Sequence, residues 1–171
     1  MERVFLSVGS NVERDSNIPA GLRALCERFG PLAVSTLYEC PAVGFDGEDF
    51  YNLVVGFDSE EPVLDVHEAL HRIEDRFGRD RGQPKFSPRT LDIDLLLYGE
   101  RILREGRLVL PRPEIERVAF VLAPLAELAP AREHPVSGVS FTTMWAEFDG
   151  IGARALQPVN PDGLVPPEVL A

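Results

Sequence analysis

The chain has 171 residues, 44% hydrophobic and 26% charged, which suits a single domain with room for a real core. Its net charge of −11 argues against nucleic-acid binding, which needs a basic footprint, and no apolar run reaches the ~20 residues of a membrane span. The N-terminal MERVFLSVGSN lacks a signal-peptide pattern. Cys26 and Cys40 are too few for a disulfide framework, so a reducing, cytoplasmic setting is expected.

Residues 3–8 (RVFLSV) read as a strand that leads into a Gly9-Ser10-Asn11 turn. Asp15 or Ser16 can cap a helix running to about Phe29, with Ile18, Leu22, Leu25 and Phe29 at helical spacing and Gly30-Pro31 as its stop. Residues 32–39 alternate as a strand, a loop follows, and residues 50–57 (FYNLVVGF) form the next strand. Pro62 opens a second helix whose stripe is Val63, Val66, Leu70, Ile73 and Phe77, and Gly78 ends it. Residues 79–89 are a polar loop punctuated by Gly and Pro, expected to be mobile without ligand. Residues 90–98 are a strand. A hairpin-type extension is expected over 101–110, a helix over 117–128 despite Pro124, and a short helix after Ser140.

The order β-α-β, β-α-β predicts an α+β fold: a ferredoxin-like, split βαβ sandwich with an antiparallel-rich sheet and helices packed on one face. Residues 1–148 are expected to form one domain. Residues 149–171, with four prolines and three glycines, read as a loose tail.

The strand FSPRTLDIDLLLYG poses the chemical question. Asp92 and Asp94 project from the same face of a run otherwise fit for burial. Two residues along a strand is roughly 6.6 Å. At an effective dielectric near 20, two like charges at that spacing repel by about 2.5 kcal/mol. A solvated strand face tolerates this; in a cleft, a divalent cation reverses its sign. Upstream lie Arg79, Arg81, Lys85 and Arg89. A cationic loop beside an acid pair is what phosphoryl transfer requires, with Mg²⁺ on the acids and arginines on the phosphate oxygens. The chain has no G-x-x-x-x-G-K-[ST], so side chains must hold any nucleotide.

Two rival readings are weaker. His67-Glu68-Ala69-Leu70-His71 satisfies H-E-x-x-H, which on a helix could hold zinc with Glu68 as general base, but no third ligand is evident. Cys40 could act as a nucleophile only with His134 as its partner. The 16 arginines against the single Lys85 are explained most simply by genome base composition or salt adaptation.

SPRTLDIDLLLYG resembles the P-R-T-L-D-[IL]-D signature of the 6-hydroxymethyl-7,8-dihydropterin pyrophosphokinases of the folate pathway. The likeness extends in order through VGSN, YECPAVG, FYN, RIEDRFGRDR and AFVLAPLAELAP, over about residues 3–148. It implies a ferredoxin-like fold and a reaction in which the pterin's hydroxymethyl oxygen attacks the β-phosphorus of ATP and AMP leaves. It implies two Mg²⁺ ions bridged by Asp92 and Asp94, and Arg79 and Arg89 on the transferring phosphates. Arg81, Glu74, Phe86 and Arg112 would contact the nucleotide. Cys40, Pro41, Val43, Phe50, Asn52 and Phe120 would form the pterin pocket, with Asn52 on the heterocycle edge and the two phenylalanines on its faces. ATP and a reduced pterin would be the partners of a monomer.

The chain departs from the usual pattern at His71 (commonly glutamine), Phe86 (commonly tryptophan), Arg112 (commonly histidine) and Val118 (commonly arginine, here one residue early at Arg117). These departures touch nucleotide contacts and leave the acid pair intact. A non-catalytic ferredoxin-like ligand-binding module is the alternative of a different class; it would not need Asp92, Asp94, Arg79 and Arg89 together.

Overall fold

A computed structural model describes all residues except Val43, 79–81 and 83–89. The expected mobile loop and the expected roles of Val43, Arg79, Arg81, Phe86 and Arg89 therefore fall outside the described residues.

The strands are β1 (Glu2–Ser10), β2 (Ala33–Val34), β3 (Leu37–Cys40), β4 (Phe50–Ser59), β5 (Asp92–Tyr98), β6 (Leu103–Glu105), β7 (Leu108–Leu110) and β8 (Gln157–Val159). The helices are α1 (Arg14–Phe29), α2 (Val63–Arg76), α3 (Ala119–Leu128) and α4 (Phe141–Ala146), with short 3-10 turns at Pro113–Glu116 and Pro167–Val169. The main sheet runs β5-β1-β4-β3-β8, with β2 also on β4, and every pairing in it is antiparallel. Its first four strands have the order of a split βαβ sandwich, as the element order predicts.

Period-2 alternation gives the sheet two different faces. Val4, Leu6, Val8, Leu53, Val55, Ile93 and Leu95 meet Ile18, Leu22 and Leu25 of α1 and Val66, Leu70 and Ile73 of α2 in one buried cluster. Phe5, Val54, Leu96 and Leu97 meet Val121, Leu122 and Leu125 of α3, and Phe141 of α4, in a second. Helices thus cover both faces, where the sequence suggested one. A β-bulge makes the second cluster possible. The β1–β5 register shifts between Phe5 and Leu6, so Leu96 is an extra residue. It and Leu97 therefore both join the α3 cluster.

Several local expectations are corrected. α1 starts at Arg14 behind Glu13, which sits at φ 44° with no side-chain cap, so neither Asp15 nor Ser16 caps it. The strand expected at 32–39 is broken in two. Ser35 bonds Val54 through both its amide and its hydroxyl, while the Thr36 amide and hydroxyl both donate to Glu127 Oε1 at 2.8 Å. Gly78, at φ 77°, does follow α2, as the sequence suggests. Ser140 does cap α4, accepting from the Thr143 amide.

The tail is not loose. β8 pairs with the edge strand β3, the Leu32 amide donates to the Val169 carbonyl, and Val169 is 1% exposed within the α1/α2 core. Among the described residues, no helix is long and apolar enough to cross a membrane.

Candidate active site

The site lies at the polar end of the α3-facing side of the sheet. Across β5, β1 and β4, Asp92 stands opposite Gly9 and Gly9 opposite Asn52; one step on, Asp94 stands opposite Ser7 and Ser7 opposite Val54. Directly opposed residues share a face, so both carboxylates, Asn52 and Val54 look toward α3. Cys40 pairs with Phe50 and Tyr38 with Asn52, which brings Phe50 and Cys40 to the same side. Phe120, on α3, packs half-buried against the core cluster on this same face of the sheet.

Gly9, read from sequence as part of a turn, lies inside the strand and forms the floor of this row. A Cβ at position 9 would lie 2.5 Å from Asn52 Oδ1, so only glycine lets the Asn52 amide rest over β1. Asn52 is buried and donates from Nδ2 to Cys40 Sγ at 2.8 Å. Burial pushes the Cys40 thiol up to about 12, which leaves no thiolate at neutral pH. His134 lies elsewhere, against Phe141 and with Nε2 3.3 Å from Glu116. The cysteine–histidine reading therefore fails. Pro41 follows at the exposed surface.

The acid pair has a distinctive electrostatic setting. Burial and the neighbouring Asp92 raise the Asp94 carboxyl to about 7; Arg112 opposes the shift, and Glu74 and Glu114 add to it. Arg112 Nη2 is 3.4 Å from Asp94 Oδ1, and Arg112 Nε is 3.1 Å from Glu114 Oε2. Burial works against the Arg112 charge, but Asp94, Glu114, Asp92 and Glu74 outweigh it and hold the guanidinium charged more firmly than usual.

Glu74 comes from α2 on the other side of the sheet. It is 3% exposed, and its Oε2 accepts from the Ile93 amide at 2.9 Å. It thus fixes β5 midway between the two aspartates. The Arg117 side chain is exposed, and Val118 is buried at the start of α3.

A hard cation fits this donor set. Two carboxylates leave one strand face together, and a guanidinium already lies against one of them. Among the described residues, no group of three His, Cys, Asp or Glu forms a cage. Asp92 and Asp94 are the donor type for Mg²⁺, which keeps waters and takes substrate phosphates beside one or two carboxylates. The H-E-x-x-H residues lie on α2. His67 and His71 lie 4.4 Å apart between ring centroids, tilted at 56°, while Glu68 pairs with Arg72 at 2.6 Å.

Next to the row, the chain after β1 and the segment before β4 enclose an open cavity of about 690 Å³ that includes Asn11, Arg14, Gly47 and Glu48. Asn11 Nδ2 donates to the Glu48 carbonyl at 3.0 Å, Arg14 donates to the Asp49 carbonyl at 2.9 Å, and the Arg14 guanidinium lies 3.8 Å from the Tyr51 ring centre. Sequence reasoning missed these ties, as it missed Gly9 and Glu114. The only available signal was that VGSN carries polar residues straight out of a strand.

Comparison with known proteins follows the same lines. The family model for 7,8-dihydro-6-hydroxymethylpterin-pyrophosphokinase (HPPK) matches residues 5–130. A 2-amino-4-hydroxy-6-hydroxymethyldihydropteridine pyrophosphokinase of Pseudomonas aeruginosa is 42% identical over 135 residues, covering 76% of this chain and 82% of that protein. The proteins of the same name from Aquifex aeolicus and Bacillus subtilis are 33% and 30% identical, over 80% and 88% of this chain and 86% and 87% of theirs. Among solved structures, wild-type Plasmodium falciparum HPPK-DHPS with SDX-DHP shares the fold, with a TM-score of 0.67 at 13% identity. The match covers 92% of this chain but 47% of that longer one.

Proposed function

The chain belongs to the 7,8-dihydro-6-hydroxymethylpterin-pyrophosphokinase family, and on that premise we propose how its residues move pyrophosphate from ATP to the hydroxymethyl group of 6-hydroxymethyl-7,8-dihydropterin, releasing AMP, in folate biosynthesis. The observation that carries the proposal is the row Asp92–Gly9–Asn52 across three adjacent strands. Two strand spacings make roughly 10 Å from the Asn52 backbone to that of Asp92. A bicyclic heterocycle held by its edge at Asn52 therefore carries its substituent toward the acid pair.

Asn52 reads the amide-like edge of the pterin, and its own hydrogen bond to Cys40 fixes its orientation. Phe120 and Phe50 supply the aromatic faces, and the main chain at Cys40, Pro41 and Val43 closes the rim. Asp92 and Asp94 would hold two Mg²⁺ ions together with the phosphates of ATP. Held there, Mg²⁺ would supply Lewis-acid neutralisation of phosphate charge, and the two carboxylates would fix where the β-phosphate lies relative to the pterin. Arg79 and Arg89 grip the transferring phosphates; Arg81, Phe86 and Arg112 hold the nucleotide. Glu74 serves the nucleotide site through β5, by keeping the two aspartates in register. The enzyme works as a cytoplasmic monomer. Zinc hydrolysis through His67, Glu68 and His71 is not favoured, and neither is a non-catalytic module.

The test is product identity. With ATP, Mg²⁺ and the reduced pterin, AMP should form in step with pterin diphosphate. Formation of ADP, or no nucleotide product at all, would overturn the proposal.

A further inference from the structure

Arg112 is anchored at both ends. Its amide donates to the Leu96 carbonyl at 3.0 Å and its carbonyl accepts from the Ile115 amide at 3.1 Å, so its backbone is tied to β5 two residues beyond Asp94. The β6–β7 hairpin carries the chain out from β5 and back to this point. Its side chain lies between two carboxylates, but loosely. Nη2 is 3.4 Å from Asp94, and Nε, although buried and 3.1 Å from Glu114, lacks hydrogen-bond geometry. A guanidinium has five N–H groups in a fork suited to two oxygens of one phosphate. Among the described residues it makes neither a bidentate pair nor a saturated one.

A cation on Asp94 and the Arg112 guanidinium must share one carboxylate, and like charges that close repel strongly in a partly desolvated site. A polyphosphate offers the guanidinium a better acceptor and removes the competition. We propose that Arg112 is a tethered counter-cation for Asp94, which keeps divalent metal off the acid pair until nucleotide phosphate draws the guanidinium away. The metal then loads with the nucleotide instead of ahead of it. This rests on the reading of Asp92 and Asp94 as the metal-holding pair, and it adds a role for Arg112 that precedes nucleotide contact.

The experiment is Mn²⁺ binding by electron paramagnetic resonance on the full chain, with and without α,β-methylene-ATP. Without nucleotide, Arg112→Gln should bind Mn²⁺ at least tenfold more tightly than wild type, whereas Arg112→Lys, which keeps the charge, should stay within about threefold. With the analogue, the advantage of Arg112→Gln should vanish or reverse, because the variant has lost a phosphate ligand. Equal nucleotide-free affinities for wild type and Arg112→Gln, both folded by circular dichroism, would overturn the proposal. So would an advantage that persists unchanged with the analogue. Asp94→Asn separates this from the underlying reading. If Mn²⁺ binding is untouched by Asp94→Asn in the presence of the analogue, the acid pair is not the metal site and both ideas fall. If Asp94→Asn abolishes binding while Arg112→Gln leaves it unchanged, only the counter-cation role falls.

Discussion

The two faces of the sheet use the same strands for opposite ends. Toward α1 and α2, β1, β4 and β5 present apolar side chains over most of their length, with Glu2, Ser10 and Ser59 only at the strand ends. Toward α3 they divide. Phe5, Leu96 and Leu97 form a core at one end, Gly9, Asn52 and Asp92 occupy the other, and the row Val54–Ser7–Asp94 lies between them. The larger buried cluster lies on the first face, and part of the second is given to groups that do not stabilise the fold. Strand alternation makes this division of labour possible: neighbouring residues such as Asp92 and Ile93 are separated by the whole sheet.

The largest contrast comes from substituting one residue on each face. Leu53 is fully buried between the sheet and the helices, and Leu53→Ala should cost about 2–5 kcal/mol of stability, read as a lowered urea midpoint. Its folded fraction should turn over normally. Asp92→Asn or Asp94→Asn should do the reverse. Each should lower kcat at least a hundredfold, about 2.7 kcal/mol of activation free energy, with the fold intact by circular dichroism. Near-normal turnover of both variants at saturating Mg²⁺ would end the idea that the α3 face carries the chemistry.

A second test asks whether the α1/α2 face depends on the tail. Deleting residues 157–171 removes the β8 pairing with β3, the Leu32–Val169 hydrogen bond and the Arg23–Glu168 pair, and it uncovers the Val169 pocket. Burial of one valine is worth ~1.5–3 kcal/mol, so a loss of about 2 kcal/mol in chemical denaturation is expected. An unchanged midpoint would mean that the tail merely lies on the surface. At the site, Gly9→Ala places a methyl 2.5 Å from Asn52 Oδ1. It should raise KM for the pterin about tenfold, roughly 1.4 kcal/mol, and leave nucleotide-dependent Mn²⁺ binding alone. An equal loss of both would show that the row acts as one rigid unit.

How much of this was legible in the sequence follows from the range of the forces involved. The βαββαβ order is local periodicity, and it reads correctly. So does the shared face of Asp92 and Asp94, because alternation is local too. The break at Ser35-Thr36 is not legible, since its causes are Val54 and Glu127, distant in sequence. The tail has no periodicity to read. Its order comes from contacts distant in sequence: a three-residue ladder on β3, backbone bridges of Leu32 to Leu170 and of Val118 to Ile151, and the burial of Val169. Gly9 looked like a turn because glycine usually marks one; its actual reason is the Asn52 side chain on the next strand. Asn52 and Phe120 came from family resemblance, as no pattern of spacing singles them out. The Arg112–Asp94 contact depends on the β6–β7 hairpin folding back, and sequence spacing does not reveal it.

The smallest expected effect tests the cost of the second face directly. In the fold the Asp94 carboxyl titrates near 7, against an ordinary value of 3.8. Between those values the folded chain holds a proton that the unfolded chain has lost. Stability must then fall as pH rises from about 4 to about 7, and stay lower above that. A three-unit shift corresponds to about 4 kcal/mol at most. Because the Asp94 side chain keeps 30% of its exposure, solvent screening reduces the expected effect to about 1 kcal/mol. Urea midpoints measured in EDTA at pH 5 and pH 8 should show this loss in wild type and in Leu53→Ala, which alters only the other face. Asp94→Asn cannot titrate and should lose about 1 kcal/mol less over the same interval. Because Arg112 holds metal off the nucleotide-free site, Mg²⁺ is added at pH 8 together with α,β-methylene-ATP; the pair favours the ionised carboxylate and should recover more of the loss in wild type than in Asp94→Asn. Parallel slopes for wild type and Asp94→Asn would mean that the acid pair carries no folding cost, and the two faces would then differ in chemistry alone.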